Sequence, residues 1–222
     1  MIFPSLDRVK AIAPGYDIVP VYMEILSDVR TPISVLKALK QVSSHTYLLE
    51  SADNSNHWGR YSFLGYDPKI ELFCKNHKMT IKDGTTRTFE CSDPAAEIRN
   101  ILSQYKSPRL EELPTFTGGF VGYFACEYIR YIEPTLDFPT PDDDSAMVND
   151  VDLMLFDKVI AFDHYKNKIY LIANISTDDL ERNYNKAELE LKALADLVVN
   201  GKEADIPKGI LKTEFTSEFT KD

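Results

Sequence analysis

The stretch LLESADNSNHWGRYSFLG, residues 48–65, brings a carboxylate, hydroxyls and a guanidinium to the ends of two short apolar runs. Glu50 and Ser51 stand where the first run stops, and Arg60, Tyr61 and Ser62 stand where the second begins. If residues 45–51 and 60–66 pair as strands, these groups meet at one end of a hairpin. Such a set offers what a free amino acid needs. Glu50 or backbone carbonyls accept from an ammonium, Arg60 grips a carboxylate, and Ser51 can do either. An internally hydrogen-bonded, solvated hairpin uses the same groups. Residue types alone leave both readings open.

Elsewhere the residues that could do chemistry do not assemble into a known pattern. His45, His57, His77 and His164 form neither HxxxH nor HExxH, so no zinc site is readable. No Gly-x-Ser-x-Gly elbow occurs, and no cysteine sits in a nucleophile signature. His164 follows an apolar strand and reads as a turn cap. The run Gly118-Gly119-Phe120-Val121-Gly122 lacks the Gly-Lys-Ser/Thr end of a phosphate loop and the GxGxxG dinucleotide spacing. Its aromatic flanks indicate a strand in which glycine admits another backbone. Asp142-Asp143-Asp144 lacks calcium-loop spacing, and nothing requires Glu127 and Glu133 to act as an acid–base pair. Both read as solvated surface.

The elements that must position residues 48–65 are legible from periodicity. Residues 19–26 form a β-branched and aromatic strand. Thr31-Pro32 then caps a helix over about 32–43, with Val35, Leu36, Leu39 and Val42 at helical spacing. After the paired runs, short strands form a meander, with a type I′ turn expected at Asp83-Gly84. Asp93-Pro94 opens a second helix, and residues 115–126 form the glycine-rich strand. An acidic surface loop spans 137–150, and strands at 152–164 and 167–175 follow, joined near Lys166-Asn167. The last helix starts near Asp178, with Glu181 completing a capping box. Its stripe is Leu180, Tyr184, Ala187, Leu191, Leu194 and Val198, and Gly201 stops it. Strands without βαβ alternation give an α+β class: mostly antiparallel sheets in a β-sandwich-like core with about three flanking helices.

Composition bounds the rest. The 222 residues are enough to bury one sizeable core without disulfides or metal. Twenty-five basic against 35 acidic residues leave a net charge of −10, which argues against nucleic-acid or anionic-membrane partners. The cysteines, Cys74, Cys91 and Cys126, are odd in number and widely spaced, as in a reducing cytosol. MIFPSLDRVK has neither the basic nor the apolar region of a signal peptide, and no run has the length of a membrane span. The expected location is cytoplasmic.

Several of these pieces, in this order, resemble the N-terminal part of anthranilate synthase component I, the large, chorismate-using subunit. They are Leu48-Leu49-Glu50-Ser51, Trp58-Gly59-Arg60-Tyr61-Ser62-Phe63-Leu64-Gly65, Gly118-Gly119-Phe120-Val121-Gly122-Tyr123, and Phe156-Asp157 through Phe162-Asp163-His164. Phe219-Thr220-Lys221 resembles the family's lead-in to its chorismate-binding domain. The resemblance implies a regulatory, partner-binding domain over residues 1–205 and a linker over 206–222. It implies an enzyme that makes anthranilate and pyruvate from chorismate and glutamine-derived ammonia, in tryptophan biosynthesis. Mg²⁺ and chorismate would bind a C-terminal domain that this chain does not contain, so no catalytic residue or cofactor is expected here. A glutamine amidotransferase subunit is the implied partner.

The resemblance also implies that L-tryptophan inhibits by binding the β-rich domain. Ser51 is then the hallmark serine of that pocket, with Leu49 and Glu50 beside it and Arg60 and Ser62 in its wall. Cys126-Glu127 departs from the Tyr-Asp pair the family often shows there. Two other readings stand beside this one. Aminodeoxychorismate synthase component I, of folate synthesis, shares the architecture, and a free-standing amino-acid-binding module would use the same hairpin.

Overall fold

A computed structural model describes residues 1–50, 59–133, 135, 148–205 and 209. Ser51, the acidic run 142–144 and nearly all of 206–222 lie outside the described residues. The elements are α1 (Leu6–Ile12), β1 (Ile18–Leu26), α2 (Pro32–Leu39), β2 (Thr46–Leu49), β3 (Tyr61–Tyr66), β4 (Ile70–Lys75), β5 (Lys78–Lys82) and β6 (Thr86–Glu90). Then come α3 (Pro94–Leu102), β7 (Gly119–Phe124), α4 (Ile129–Ile132), β8 (Val151–Phe156), β9 (Lys158–Asp163), β10 (Lys168–Ser176) and α5 (Leu180–Asn200). They form two five-stranded antiparallel sheets, ordered β1-β10-β9-β3-β2 and β6-β5-β4-β8-β7. The α+β class is therefore as expected.

Each buried cluster draws its strand residues from one sheet. On one face of the first sheet, Val19, Val21, Leu64, Ile160, Phe162 and Leu171 pack under α1, α2 and α5. Its other face carries Tyr22, Val159, Ala161, Tyr170 and Ile172, which Leu113 and Phe116 cover. The second sheet packs Leu72, Met79, Ile81 and Leu153 against Ile98 and Ile101 of α3. The α5 stripe was legible because its spacing matches burial: Tyr184, Ala187, Leu191, Leu194 and Val198 are all buried. Each fully buried leucine on it contributes roughly 1.5–3 kcal/mol.

Several local details differ from the sequence expectation. The run 152–164 is two strands, because the chain leaves the second sheet at Asp157 and enters the first. The Asp157 carbonyl turns out of both ladders and accepts from the Asn174 N–H at 2.9 Å and from Nδ2 at 3.1 Å. α2 has the expected Thr31–Ser34 capping box but ends at Leu39, leaving Val42 exposed. The capping box at α5 does not form. Asp179 is the cap residue, and Glu181 instead reaches Lys10 of α1 at 3.0 Å. Gly201 ends α5 with a negative φ; its need is space, since a Cβ there would meet the Leu197 carbonyl at 2.3 Å. α1 and α4 were not foreseen, being too short to show a helical period.

The turns moved as well. Lys82 pairs with Thr86, so Asp83-Gly84 belongs to a three-residue loop. Asn76-His77 is the two-residue hairpin, with both residues at positive φ (48° and 61°). A buried network pins it: the Asp150 carboxylate accepts from the Asn76 N–H at 2.8 Å and from the Tyr131 hydroxyl at 2.7 Å. That hydroxyl in turn accepts from the His77 N–H at 3.0 Å. The glycine-rich strand behaves as expected. A Cβ on Gly122 would stand 1.9 Å from the Asp152 carbonyl oxygen of the neighbouring strand.

Candidate functional site

β2 and β3 pair antiparallel, with Leu48 opposite Leu64 and Leu49 opposite Phe63. Continuing that register by one residue sets Glu50 opposite Ser62. On its other side β3 pairs β9, so Tyr61 faces Asp163 and Ser62 faces Phe162. Strand alternation then decides which groups share a face. Ser62 lies with Leu64 and Phe162 on the face that the helices cover, and it is buried at 3% exposure. Asp163 falls on the opposite face.

The residues singled out at 48–65 therefore divide into two groups. In the first, Ser62 Oγ lies 2.7 Å from His164 Nε2 and 3.4 Å from Glu50 Oε1. His164 and Glu50 are exposed, as is Leu49, so this cluster opens to solvent at the strand ends. Ser51, its expected centre, follows Glu50 directly but lies outside the described residues.

In the second group Arg60 does not point at a vacant space. Its Nε donates to Asp163 Oδ1 at 3.0 Å and its Nη2 to Oδ2 at 2.7 Å. The Tyr165 and Lys166 N–H groups add bonds of 3.1 and 3.0 Å to Oδ1. Burial pushes the Asp163 carboxyl up, but these hydrogen bonds outweigh it and hold the group below the usual carboxylate range. The same bonds raise Arg60. The guanidinium also lies over the rings of Tyr61 and Tyr165, at 4.9 and 5.4 Å. Arg60 is thus a strut that ties the head of β3 to the end of β9.

Sequence reasoning missed the two residues that organise the site. Asp163 and His164 were visible as the end of an apolar strand, but their partners lie about a hundred positions earlier. Only the β3–β9 pairing brings them together. The signal available was the placement of two polar residues directly after a buried run.

Chemically the first group binds and does not cleave. Serine and imidazole are at nucleophile–base distance, but the carboxylate contacts the serine and leaves the imidazole unoriented. Among the described residues no group of His, Cys, Asp and Glu could hold a metal, so Mg²⁺ has no fitting donor set there. No helix of the described residues is long and apolar enough to cross a membrane.

Comparison with known proteins gives the chain its relatives, although no family model matches it. It is 36% identical over 197 residues to anthranilate synthase component 1 of Acetivibrio thermocellus, covering 87% of this chain and 39% of that protein. Against component 1 of Acinetobacter calcoaceticus the identity is 39% over 189 residues, covering 83% and 37%. Against the chloroplastic anthranilate synthase alpha subunit 2 of Arabidopsis thaliana it is 31% over 230 residues, covering 94% and 37%. Among solved structures, anthranilate synthase component I from Streptococcus pneumoniae TIGR4 matches with 26% identity and a TM-score of 0.45, covering 76% of this chain and 36% of that one. The chain thus spans about two fifths of the length of the curated relatives it matches.

Proposed function

Since this chain is a relative of anthranilate synthase component I over most of its own length, we propose that it is the regulatory N-terminal part of such a subunit. The parent enzyme would convert chorismate and glutamine-derived ammonia to anthranilate and pyruvate, with Mg²⁺ held by its C-terminal domain. This part would carry the L-tryptophan feedback site and contact the amidotransferase subunit in the cytoplasm. Alone it would have no lyase activity.

The observation that carries the regulatory reading is the polar cluster Glu50–Ser62–His164, at the strand end that leads into Ser51. An ammonium would be taken by Glu50, while Ser51 and Leu49 complete this side of the pocket. Arg60, occupied by Asp163, would shape the wall and leave the ligand carboxylate to other donors. Inhibition would be a two-state linkage. Tryptophan would prefer a conformation in which the chorismate site is incompetent, and chorismate would oppose tryptophan by the same free energy, roughly 1–3 kcal/mol.

The test is Ser51→Phe in the full-length parent. The expected result is loss of tryptophan inhibition with uninhibited turnover little changed; an unaltered inhibition curve would remove Ser51 from the pocket. The 222-residue chain given chorismate, Mg²⁺ and ammonia should yield no anthranilate fluorescence, and fluorescence would contradict the assignment of catalysis to the C-terminal domain.

A further inference from the structure

We propose that His164 is the positioning residue of this cluster, its protonation state setting which way the Ser62 hydroxyl points and hence whether Glu50 is free to accept from a ligand's ammonium. The inference rests on the amino-acid-binding reading of the site and adds a proton gate to it.

The argument starts from the single proton of a serine hydroxyl, which can serve one acceptor at a time. The contact with His164 Nε2 is 2.7 Å and that with Glu50 Oε1 is 3.4 Å. Hydroxyl donors sit at about 2.7–2.8 Å from their acceptors, whereas N–H donors sit at about 2.9–3.0 Å. The short contact is therefore Ser62 donating to an unprotonated Nε2. A hydroxyl donating to a carboxylate would close to about 2.5–2.7 Å, so Glu50 is at present only a neighbour. Its acceptor capacity stays available to a ligand.

Protonation reverses the chain of donors. Once Nε2 carries a proton it can only donate, and Ser62 Oγ becomes its acceptor. The hydroxyl proton is then released towards Glu50 Oε1, the other acceptor in reach. Ser62 is buried, so solvent does not readily take Glu50's place. One Glu50 oxygen becomes engaged, and an imidazolium stands behind it. An incoming ammonium loses an acceptor and meets a like charge. His164 itself is exposed and exchanges its proton freely with solvent.

The surrounding charges do not mask this change. Among the described residues, Glu50 follows β2, Arg60 and Tyr61 stand at the head of β3, and Asp163, Tyr165 and Lys166 flank His164 on its own turn. Arg60 and Asp163 are bound to each other. Lysine, arginine and tyrosine titrate far above the imidazole range of about pH 6–7, and aspartate far below it. A ligand with an ammonium group should therefore bind less tightly as the pH falls through that range.

The experiment has a ligand-free arm and a ligand arm. In the 222-residue chain without ligand, the ¹³C resonance of the Glu50 side-chain carboxyl is followed against pH, in wild type and in His164→Gln. The expected result is a step in the Glu50 resonance at the pH where the His164 ring titrates, absent from the variant. A Glu50 resonance blind to the His164 titration overturns the inference. In the full-length parent, L-tryptophan affinity should weaken roughly tenfold between about pH 7.5 and about pH 5.5, the size of one charge-assisted bond. In His164→Gln it should change less than about twofold over the same interval. Equal weakening in both proteins also overturns the inference. The Glu50 step without tryptophan binding at any pH upholds the proton gate and sinks the tryptophan reading alone.

Discussion

Arg60 and Asp163, 103 residues apart in the chain, meet as a bidentate ion pair across the ends of β3 and β9. The Asp163 side chain is fully buried, whereas Arg60 is about one third exposed. The pair closes the sheet at the margin of the candidate site, and it leaves Arg60 little freedom to serve a ligand as well.

Arg60→Met should destabilise the chain by about 2–4 kcal/mol at neutral pH, because it leaves a buried carboxylate unpaired; the figure is reduced for the exposure of the arginine. The pH dependence has a definite sign. Asp163 is held below its ordinary value in the folded protein, so its contribution is present above the unfolded aspartate pKa of about 3.9. That contribution is lost as the pH falls through the folded value. The stability gap between wild type and Arg60→Met in urea titrations should narrow below about pH 4. A gap as wide at about pH 3 as at neutrality would show that the charge pair is not its source.

Gly122→Ala should be far more disruptive than Gly84→Ala. At Gly122 the new Cβ would lie 1.9 Å from a backbone oxygen that is fixed in β8, and φ is +158°. At Gly84 φ is +93° but nothing lies within 4 Å, so only the conformational cost of about 1–3 kcal/mol applies. Thermal melts should rank the two clearly, with Gly122→Ala poorly folded or insoluble. Equal melting temperatures would mean that β7 can move away from β8.

Tyr131→Phe should cost about 1–3 kcal/mol, since it strips the buried Asp150 of a donor and the His77 N–H of its acceptor. Burial pushes the Tyr131 hydroxyl far above the usual phenol range, so it remains a donor at any pH the fold tolerates. The loss should also be local. Amide exchange of His77 should speed up before that of β9 or β10, and uniform acceleration across both sheets would contradict a hairpin latch.

Much of this molecule was readable from spacing alone. The stripe from Leu180 to Val198, the Thr31 cap and the β2–β3 pairing all follow from contacts a few residues long, and each is present. The close approach at Gly122 was readable too, because glycine amid aromatic residues has few other uses in a strand. Short helices such as α1 and α4 left no period to read, and the break at Asp157 hid inside one continuous apolar run.

The candidate site divides along the same line. Sequence alone determined that Glu50 and Ser62 stand at the ends of paired strands, because hairpin register is a local matter. Tertiary structure decided that Arg60 would be claimed by Asp163 and that His164 would hold Ser62. Both depend on β3 lying beside β9, a pairing between segments about a hundred residues apart. No periodicity encodes such a choice. It is made by which apolar faces bury best together, and the polar side chains at the strand ends take the partners that packing brings to them.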